Sequence, residues 1–118
     1  MKVVEALMAV AAADTELLQS MDAKGDRFSI SRDVDFLLLA PDQSRAELVA
    51  GFINDHQYGR ACVQQDEGNF SILVVVHMPV TQNEILSVSG FMVCLSHLYD
   101  LEYDGWGCEL QQEARAPT

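Results

Sequence analysis

Five apolar residues in succession, Ile72 to Val76, constrain the fold of this chain more than any other segment. A continuous run rich in β-branched residues is typical of a strand that is buried on both faces, and hence of a central strand. The sequence Asp66-Glu67-Gly68-Asn69 precedes the run with turn chemistry, which predicts a hairpin with the strand before it. Pro79 ends the apolar strand. The chain is therefore expected to build a sheet around this segment.

Helical and strand periodicities predict the remaining elements. In chain order they are a helix over 3–21, a strand over 28–39, a helix over 44–56, the hairpin strands over 58–65 and 70–78, a helix over 81–99 and a strand over 101–110. Asp42 or Ser44 can cap the second helix, and Ser44 with Glu47 makes a capping box. Thr81 and Glu84 make another at the start of the third helix.

The order of these elements predicts the fold class. A helix followed by β-α-β-β-α-β is an α+β arrangement, the ferredoxin-like sandwich with an extra N-terminal helix. This plan places strands one and three in the centre, parallel to each other, and these are the two most apolar strands. We expect one domain over 1–118, with an N-terminal helix and loop over 1–27, a ferredoxin-like core over 28–110 and a polar tail over 111–118 that frays.

Acidic residues dominate the charge and limit the classes of partner. Eighteen acids against seven bases give a net charge of −11, and residues 61–118 hold eight acids and one base. Phosphates of nucleic acids and anionic membranes would be repelled, so direct binding to either is not expected. The charge permits a basic partner, usually another protein. The plainer interpretation, in which the acids only keep the surface soluble, stays open.

No residue pattern predicts catalysis, a metal site or a cofactor site. Cys62, Cys94 and Cys108 are odd in number and lack CxxC spacing, which favours free, buried thiols in the reducing cytoplasm. The histidines have no partners at metal-ligand spacing. Gly105 and Gly107 lie among acids that would repel a phosphate. No apolar stretch approaches the ~18–20 residues of a membrane span.

The segment from Leu101 to Leu110 is the most unusual, because it holds the only Trp, two glycines and three acids. One interpretation is structural: Trp106, Cys108 and Leu110 face the helices while the glycines permit a bend. The other is a recognition patch with an aromatic anchor and an acidic rim. On the second interpretation the residues expected to contact a partner are Asp66, Glu67, Glu102, Tyr103, Asp104, Trp106 and Glu109.

The string Glu102-Tyr103-Asp104-Gly105-Trp106-Gly107 resembles the signature near the end of the bacterial regulator of ribonuclease activity B family. Other pieces match in order, namely 32–36, the middle helix and 78–81, and the similarity spans roughly residues 28–110. The resemblance implies a small cytoplasmic ferredoxin-like protein that is not an enzyme. It also implies binding to endoribonuclease E and lower cleavage of RNA.

Two functional hypotheses follow. The favoured one is an inhibitor whose acids bind basic segments of endoribonuclease E, or of another protein, and compete with RNA. The alternative is a ferredoxin-like domain that senses a small molecule or peptide and has a non-ribonuclease partner. It predicts a pocket between sheet and helix or at a dimer seam. An enzyme would need clustered polar groups with perturbed pKa values, and no such cluster is evident in the sequence.

Overall fold

The computed structural model of the protein describes residues 2–112. Its elements are α1 (Lys2–Ala23), β1 (Arg32–Ala40), α2 (Gln43–Asp55), β2 (Arg60–Asp66), β3 (Asn69–Met78), α3 (Gln82–Tyr99) and β4 (Glu102–Gly107). The α+β class and the additional N-terminal helix are therefore confirmed. The predicted fraying of residues 113–118 lies outside the described residues, whereas Gln112 pairs with Asp26 in an isolated β-bridge.

The four strands form one sheet in the order β2-β3-β1-β4, and every neighbouring pair is antiparallel. The central position of β1 and β3 is confirmed, but the expectation that they run parallel is wrong. The crossover through α2 makes β2 parallel to β1, and the tight hairpin then reverses the chain. Because β3 inserts between β1 and β2, it runs antiparallel to both.

All three helices lie on the same side of the sheet, with α1 packed mainly against α3, so the two faces of β3 differ. Ile72 and Val74 are fully buried, whereas Leu73 and Val75 between them are partly exposed. The prediction of burial on both faces is therefore wrong. The core on the helix side is made by Leu18, Met21, Val34, Phe36, Leu38, Ala46, Val49, Ala50, Ile53, Ile72, Val74, Met78, Val80, Ile85, Met92 and Leu95.

Helix starts agree with the sequence, although the capping contacts differ in detail. Of the two candidates for α2, Asp42 is the cap: its Oδ1 accepts a 2.7 Å hydrogen bond from the Arg45 N–H. Thr81 occupies the cap of α3, but its hydroxyl donates to Glu84 Oε1 at 3.1 Å and makes no bond to the backbone. The Glu84 carboxylate in the first turn of α3 still interacts favourably with the helix dipole.

The cysteines are more accessible than predicted. Cys62 and Cys94 are exposed, Cys108 is half-buried, and all three are free thiols. The expectation of burial is wrong because Cys62 points away from the helices and Cys94 lies on the outer side of α3. Among residues 2–112, no helix has both the length and the apolar character needed to cross a bilayer.

Candidate protein-binding surface

A bulge in the edge strand β4 turns two aromatic side chains to the helix side of the sheet. Tyr103 pairs with Leu38 and Trp106 pairs with Phe36, so three steps along β4 match two along β1. Gly105 has φ +96°, a conformation that L side chains rarely adopt, and it absorbs the extra residue. The bulge therefore places both aromatic residues on the face that carries the core.

Both aromatic side chains have their polar atoms bonded within the protein. The Trp106 indole donates a 2.9 Å hydrogen bond to Asp14 Oδ1 on α1. The Tyr103 hydroxyl lies 2.8 Å from the Ser89 hydroxyl on α3. Asp14 and Ser89 are themselves buried. These contacts join β4 to two helices, so Trp106 faces the helices as the structural interpretation expects, whereas Leu110, which that interpretation also turns toward them, is 39% exposed.

Burial dominates the electrostatics of this cluster. The pKa of Asp14 is raised because its carboxyl is removed from water, and Ser89 and the Trp106 N–H oppose the shift. The second oxygen, Asp14 Oδ2, has no hydrogen-bond partner among the described residues. Burial likewise raises the pKa of the Tyr103 phenol. The polar atoms of Tyr103 and Trp106 are therefore used within the fold, while both side chains keep part of their surface exposed.

A buried ion pair holds the chain that follows β4. Arg32 Nη1 lies 2.6 Å from Asp26 Oδ2, and the two side chains are 4% and 0% exposed. Arg32 also donates to the Glu109 carbonyl at 3.2 Å. Asp26 Oδ2 accepts from the Gln111 N–H at 3.1 Å. The start of β1 thereby fixes Glu109 beside the sheet.

The surface opposite the helices, which we call the open face, carries alternate residues of every strand. Registers place these residues on it: Asp33, Asp35, Leu37 and Leu39 of β1; Ser71, Leu73, Val75 and His77 of β3; Arg60, Cys62, Gln64 and Asp66 of β2; and Glu102 and Gly107 of β4. Leu37, Leu39, Leu73 and Val75 are all partly exposed. They form an apolar strip along the two central strands.

Carboxylates outnumber bases around the apolar strip. Asp33 contacts both bases of the open face: Arg60 Nη2 lies 3.2 Å from its Oδ2, and His77 Nδ1 lies 3.0 Å from its Oδ1. The hydrogen bond with His77, helped by the charge of Arg60, lowers the pKa of Asp33. Asp35 and Glu102 are exposed and form no salt bridge within residues 2–112. The open face therefore keeps an excess of negative charge.

A groove of about 840 Å³ lies where the open face meets the segment after β4. Its lining includes the acids Asp33, Asp35 and Glu109 together with His77, Cys108 and Arg32, whose charge is paired with Asp26. Burial raises the pKa of the Cys108 thiol, while Arg32 opposes the shift. Residues 2–112 contain no group of three or more His, Cys, Asp or Glu that could hold a metal ion. The chemistry of the groove suits cationic groups.

The predicted site residues lie in three places rather than in one patch. Glu102 and the exposed Asp104 are on β4, and Glu109 lines the groove. Asp66 and Glu67 are at the β2–β3 turn on the opposite edge of the sheet. Strand β2 is three strand spacings from β4, or about 14 Å at ~4.8 Å per spacing.
 Sequence reasoning did not select Asp33 and Asp35, which lie between these edges on β1. Their signal was present in the alternation Asp33-Val34-Asp35-Phe36, which assigns acids to one face and core residues to the other. Leu73 was also missed as a surface residue, because its place within an apolar run indicated complete burial. The alternation along β1 could therefore have predicted the acidic part of the open face.

The fold and this surface define a small α+β protein whose uncovered sheet face combines an apolar strip with acidic edges. The family described as Regulator of ribonuclease activity B matches residues 11–108, and the chain belongs to that family. The match covers all of the sheet and most of α1. No curated protein matches the chain.

Proposed function

We propose that this protein binds a ribonuclease and lowers its cleavage of RNA. Its family is named for the regulation of ribonuclease activity. A ribonuclease holds a polyanion, so its RNA-binding surface carries Lys and Arg. An acidic protein presents carboxylates to those side chains and competes with the phosphates of RNA. In this role the protein acts in the cytoplasm as a bound regulator and not as an enzyme.

The observation that carries the proposal is a set of exposed carboxylates on and beside β4 and the open face that form no salt bridge within residues 2–112. Asp35, Glu102, Asp104 and Glu109 are exposed, and none forms a salt bridge within residues 2–112. Carboxylates used only in structural pairs would already be neutralised, as Asp26 is by Arg32. Unpaired charges of one sign instead attract a partner of the opposite sign and raise its association rate.

Endoribonuclease E is the ribonuclease that the resemblance of the β4 segment favours. The strand order β2-β3-β1-β4 supports the ferredoxin-like plan that goes with that resemblance. Because the proposed contact is between proteins, we expect neither direct binding of RNA nor attachment to a membrane. Another ribonuclease with basic segments would satisfy the same surface chemistry.

The test is the rate at which purified endoribonuclease E cleaves a fluorescent single-stranded RNA as this protein is added. We expect slower cleavage at about 50 mM salt and a weaker effect at about 200 mM, because salt screens exposed charges. A gel-shift experiment with the protein and RNA alone is the control for sequestration of the substrate. An unchanged cleavage rate together with no complex at low salt would contradict the proposal.

The groove beside Asp33, Asp35 and Glu109 favours a second candidate, a sensor of a small cationic ligand. Its volume of about 840 Å³ is within the range of ligand sites, which is roughly 300–1,000 Å³. Ligand sites are usually lined by apolar side chains, whereas this groove is lined mainly by polar ones. A thermal-shift screen with polyamines tests it: a rise in Tm that Asp35→Asn removes would support the sensor.

A further inference from the structure

The open face is the one large surface of the sheet that the helices leave uncovered within residues 2–112. Side chains that point to the helices are buried in the core, as Phe36 and Val74 are, whereas the residues between them keep part of their surface. Leu37 lies opposite Leu73, and Leu73 lies opposite Cys62, so apolar atoms continue across three strands. Contiguous apolar surface that remains in contact with water is typical of an interaction site.

Acids enclose this apolar strip on the β1 and β4 side. Asp35 lies opposite Gly107 and next to Val75, while Glu102 lies opposite Leu39. The bases of the open face, Arg60 and His77, both contact Asp33 and form no salt bridge with another carboxylate of residues 2–112. A partner must therefore supply aliphatic surface to the strip and positive charge to its edge.

Arginine meets both requirements with one side chain. Its three-carbon stem packs on apolar surface while the guanidinium stays hydrated or paired. The guanidinium also binds a carboxylate through two parallel hydrogen bonds. An arginine stem on Leu37 or Leu73 would leave its head within reach of the acids along β1 and β4. This complementarity selects an arginine-rich segment over other basic surfaces.

The same charges disfavour two other occupants. A second copy of the chain, set face to face, would bring the carboxylates of β1 and β4 against others of the same kind. Like charges in contact strongly disfavour an interface. RNA would bring phosphates against the same carboxylates. A basic protein segment meets neither repulsion.

We propose that the open face is the surface on which the ribonuclease docks, and that its occupant is an arginine-rich segment of the ribonuclease. This inference rests on the proposed function, because the ribonuclease is the partner that supplies the segment. The segment lies across the strip formed by Leu37, Leu39, Leu73 and Val75, with its guanidinium groups directed to Asp35 and Glu102. Binding there withdraws the same arginines from RNA.

Two native thiols make the inference testable on the unmodified chain. Cys62 is exposed on the open face next to Leu73, whereas Cys94 is exposed on α3, on the helix side. Alkylation with a maleimide followed by peptide mass spectrometry gives the rate at each thiol. Complex formation is measured separately by gel filtration, so that failure to bind and binding elsewhere are distinguished.

With ribonuclease at about ten times Kd, about nine-tenths of the protein is bound, so the rate at Cys62 is expected to fall about tenfold. The rate at Cys94 is expected to stay unchanged. A complex in which Cys62 reacts at its free rate overturns this inference and leaves the proposed function intact. Absence of any complex overturns both. Protection of Cys62 by higher concentrations of the protein alone would identify a second copy as the occupant and also overturn the inference.

A pair of substitutions provides a second readout. Leu73→Lys puts a positive charge in the middle of the strip, and Leu48→Lys puts the same charge on the outer side of α2, where Leu48 is 59% exposed. Circular dichroism verifies that both variants are folded. We expect Leu73→Lys to weaken ribonuclease binding by about tenfold or more and Leu48→Lys by less than about twofold. Equal affinities for the two folded variants would contradict the assignment of the face.

Discussion

The indole N–H of Trp106 donates a 2.9 Å hydrogen bond to Oδ1 of Asp14, a residue 92 positions earlier in the chain. This contact joins the edge strand to the N-terminal helix and uses the only tryptophan. Asp14 is 4% exposed, and its Oδ2 has no hydrogen-bond partner among the described residues. The carboxylate is therefore held where its charge is poorly solvated.

The substitution Asp14→Asn is expected to stabilise the protein at pH 7 by about 1 kcal/mol, because the amide oxygen still accepts from Trp106 and no charge is buried. The pKa of Asp14 is raised from its ordinary value of 3.8 in the folded state. Folding is thus linked to proton uptake, and the stability that this group contributes falls as pH rises from 3.8 through the raised pKa.
 The measurement is urea unfolding of both proteins from pH 3.5 to pH 7. The advantage of Asp14→Asn should be smallest at the acid end, where wild-type Asp14 is protonated in the folded state and mostly protonated in the unfolded state. Asp14→Ala removes the acceptor and is expected to be less stable than Asp14→Asn by about 1–3 kcal/mol. An advantage that is the same at every pH would show that the buried charge is not its cause.

The bulge in β4 depends on the backbone conformation of Gly105. Its φ is +96°, whereas Gly107 has no such conformation, and a Cβ at either position would meet no atom within 4 Å. Gly105→Ala is therefore expected to lower the free energy of unfolding by about 1–2 kcal/mol through backbone strain alone. Gly107→Ala is the matched control and should change it by less than about 1 kcal/mol. Equal effects of the two substitutions in chemical denaturation would be inconsistent with the bulge.

The buried pair of Arg32 and Asp26 should be costly to break from one side. Arg32→Met leaves the Asp26 carboxylate buried without its cation, and we expect a loss of about 3–5 kcal/mol. The double variant Arg32→Met, Asp26→Leu removes both charges and should recover a large part of that loss. A double-mutant cycle by chemical denaturation measures the coupling. Additive single effects would mean that the pair is not coupled.

Asp33 reports on the exposed end of the open face. The hydrogen bond with His77 makes the largest contribution to lowering the pKa of Asp33, and the charge of Arg60 makes a smaller one. In a carboxyl ¹³C NMR titration, His77→Ala should therefore raise the pKa of Asp33 toward its ordinary value, and by more than Arg60→Ala does. If His77→Ala left that pKa unchanged, the contact between His77 and Asp33 would not exist in solution.

Local patterns in the sequence predicted the elements and their order, because period, turn chemistry and capping are properties of short segments. The alternation along β1 agrees with the burial of Val34 and Phe36 between the exposed Asp33 and Asp35. The direction of β3 relative to β1 was predicted wrongly, since it depends on where the hairpin inserts into the sheet. The run Ile72 to Val76 suggested burial on both faces. The sequence does not show that all three helices lie on one side of the sheet and leave the other face uncovered.

The site was less predictable because it depends on contacts between distant residues. Nothing near Trp106 or Tyr103 in the sequence indicates that Asp14 and Ser89 bond their polar atoms. The acids on β4 and the acids at the β2–β3 turn lie on opposite edges of the sheet. Only the assembled sheet places Asp33, Asp35 and the apolar strip between them.

The most direct test of the account compares two charge reversals in binding to endoribonuclease E. Asp35→Arg changes the open face, and Glu16→Arg changes an exposed position on α1, so the net charge of −11 shifts equally in both. Calorimetry at about 50 mM salt should show binding weakened by about tenfold or more, or ~1.4 kcal/mol, for Asp35→Arg and by less than about twofold for Glu16→Arg. Equal affinities for the two variants would contradict the claim that the open face binds the ribonuclease.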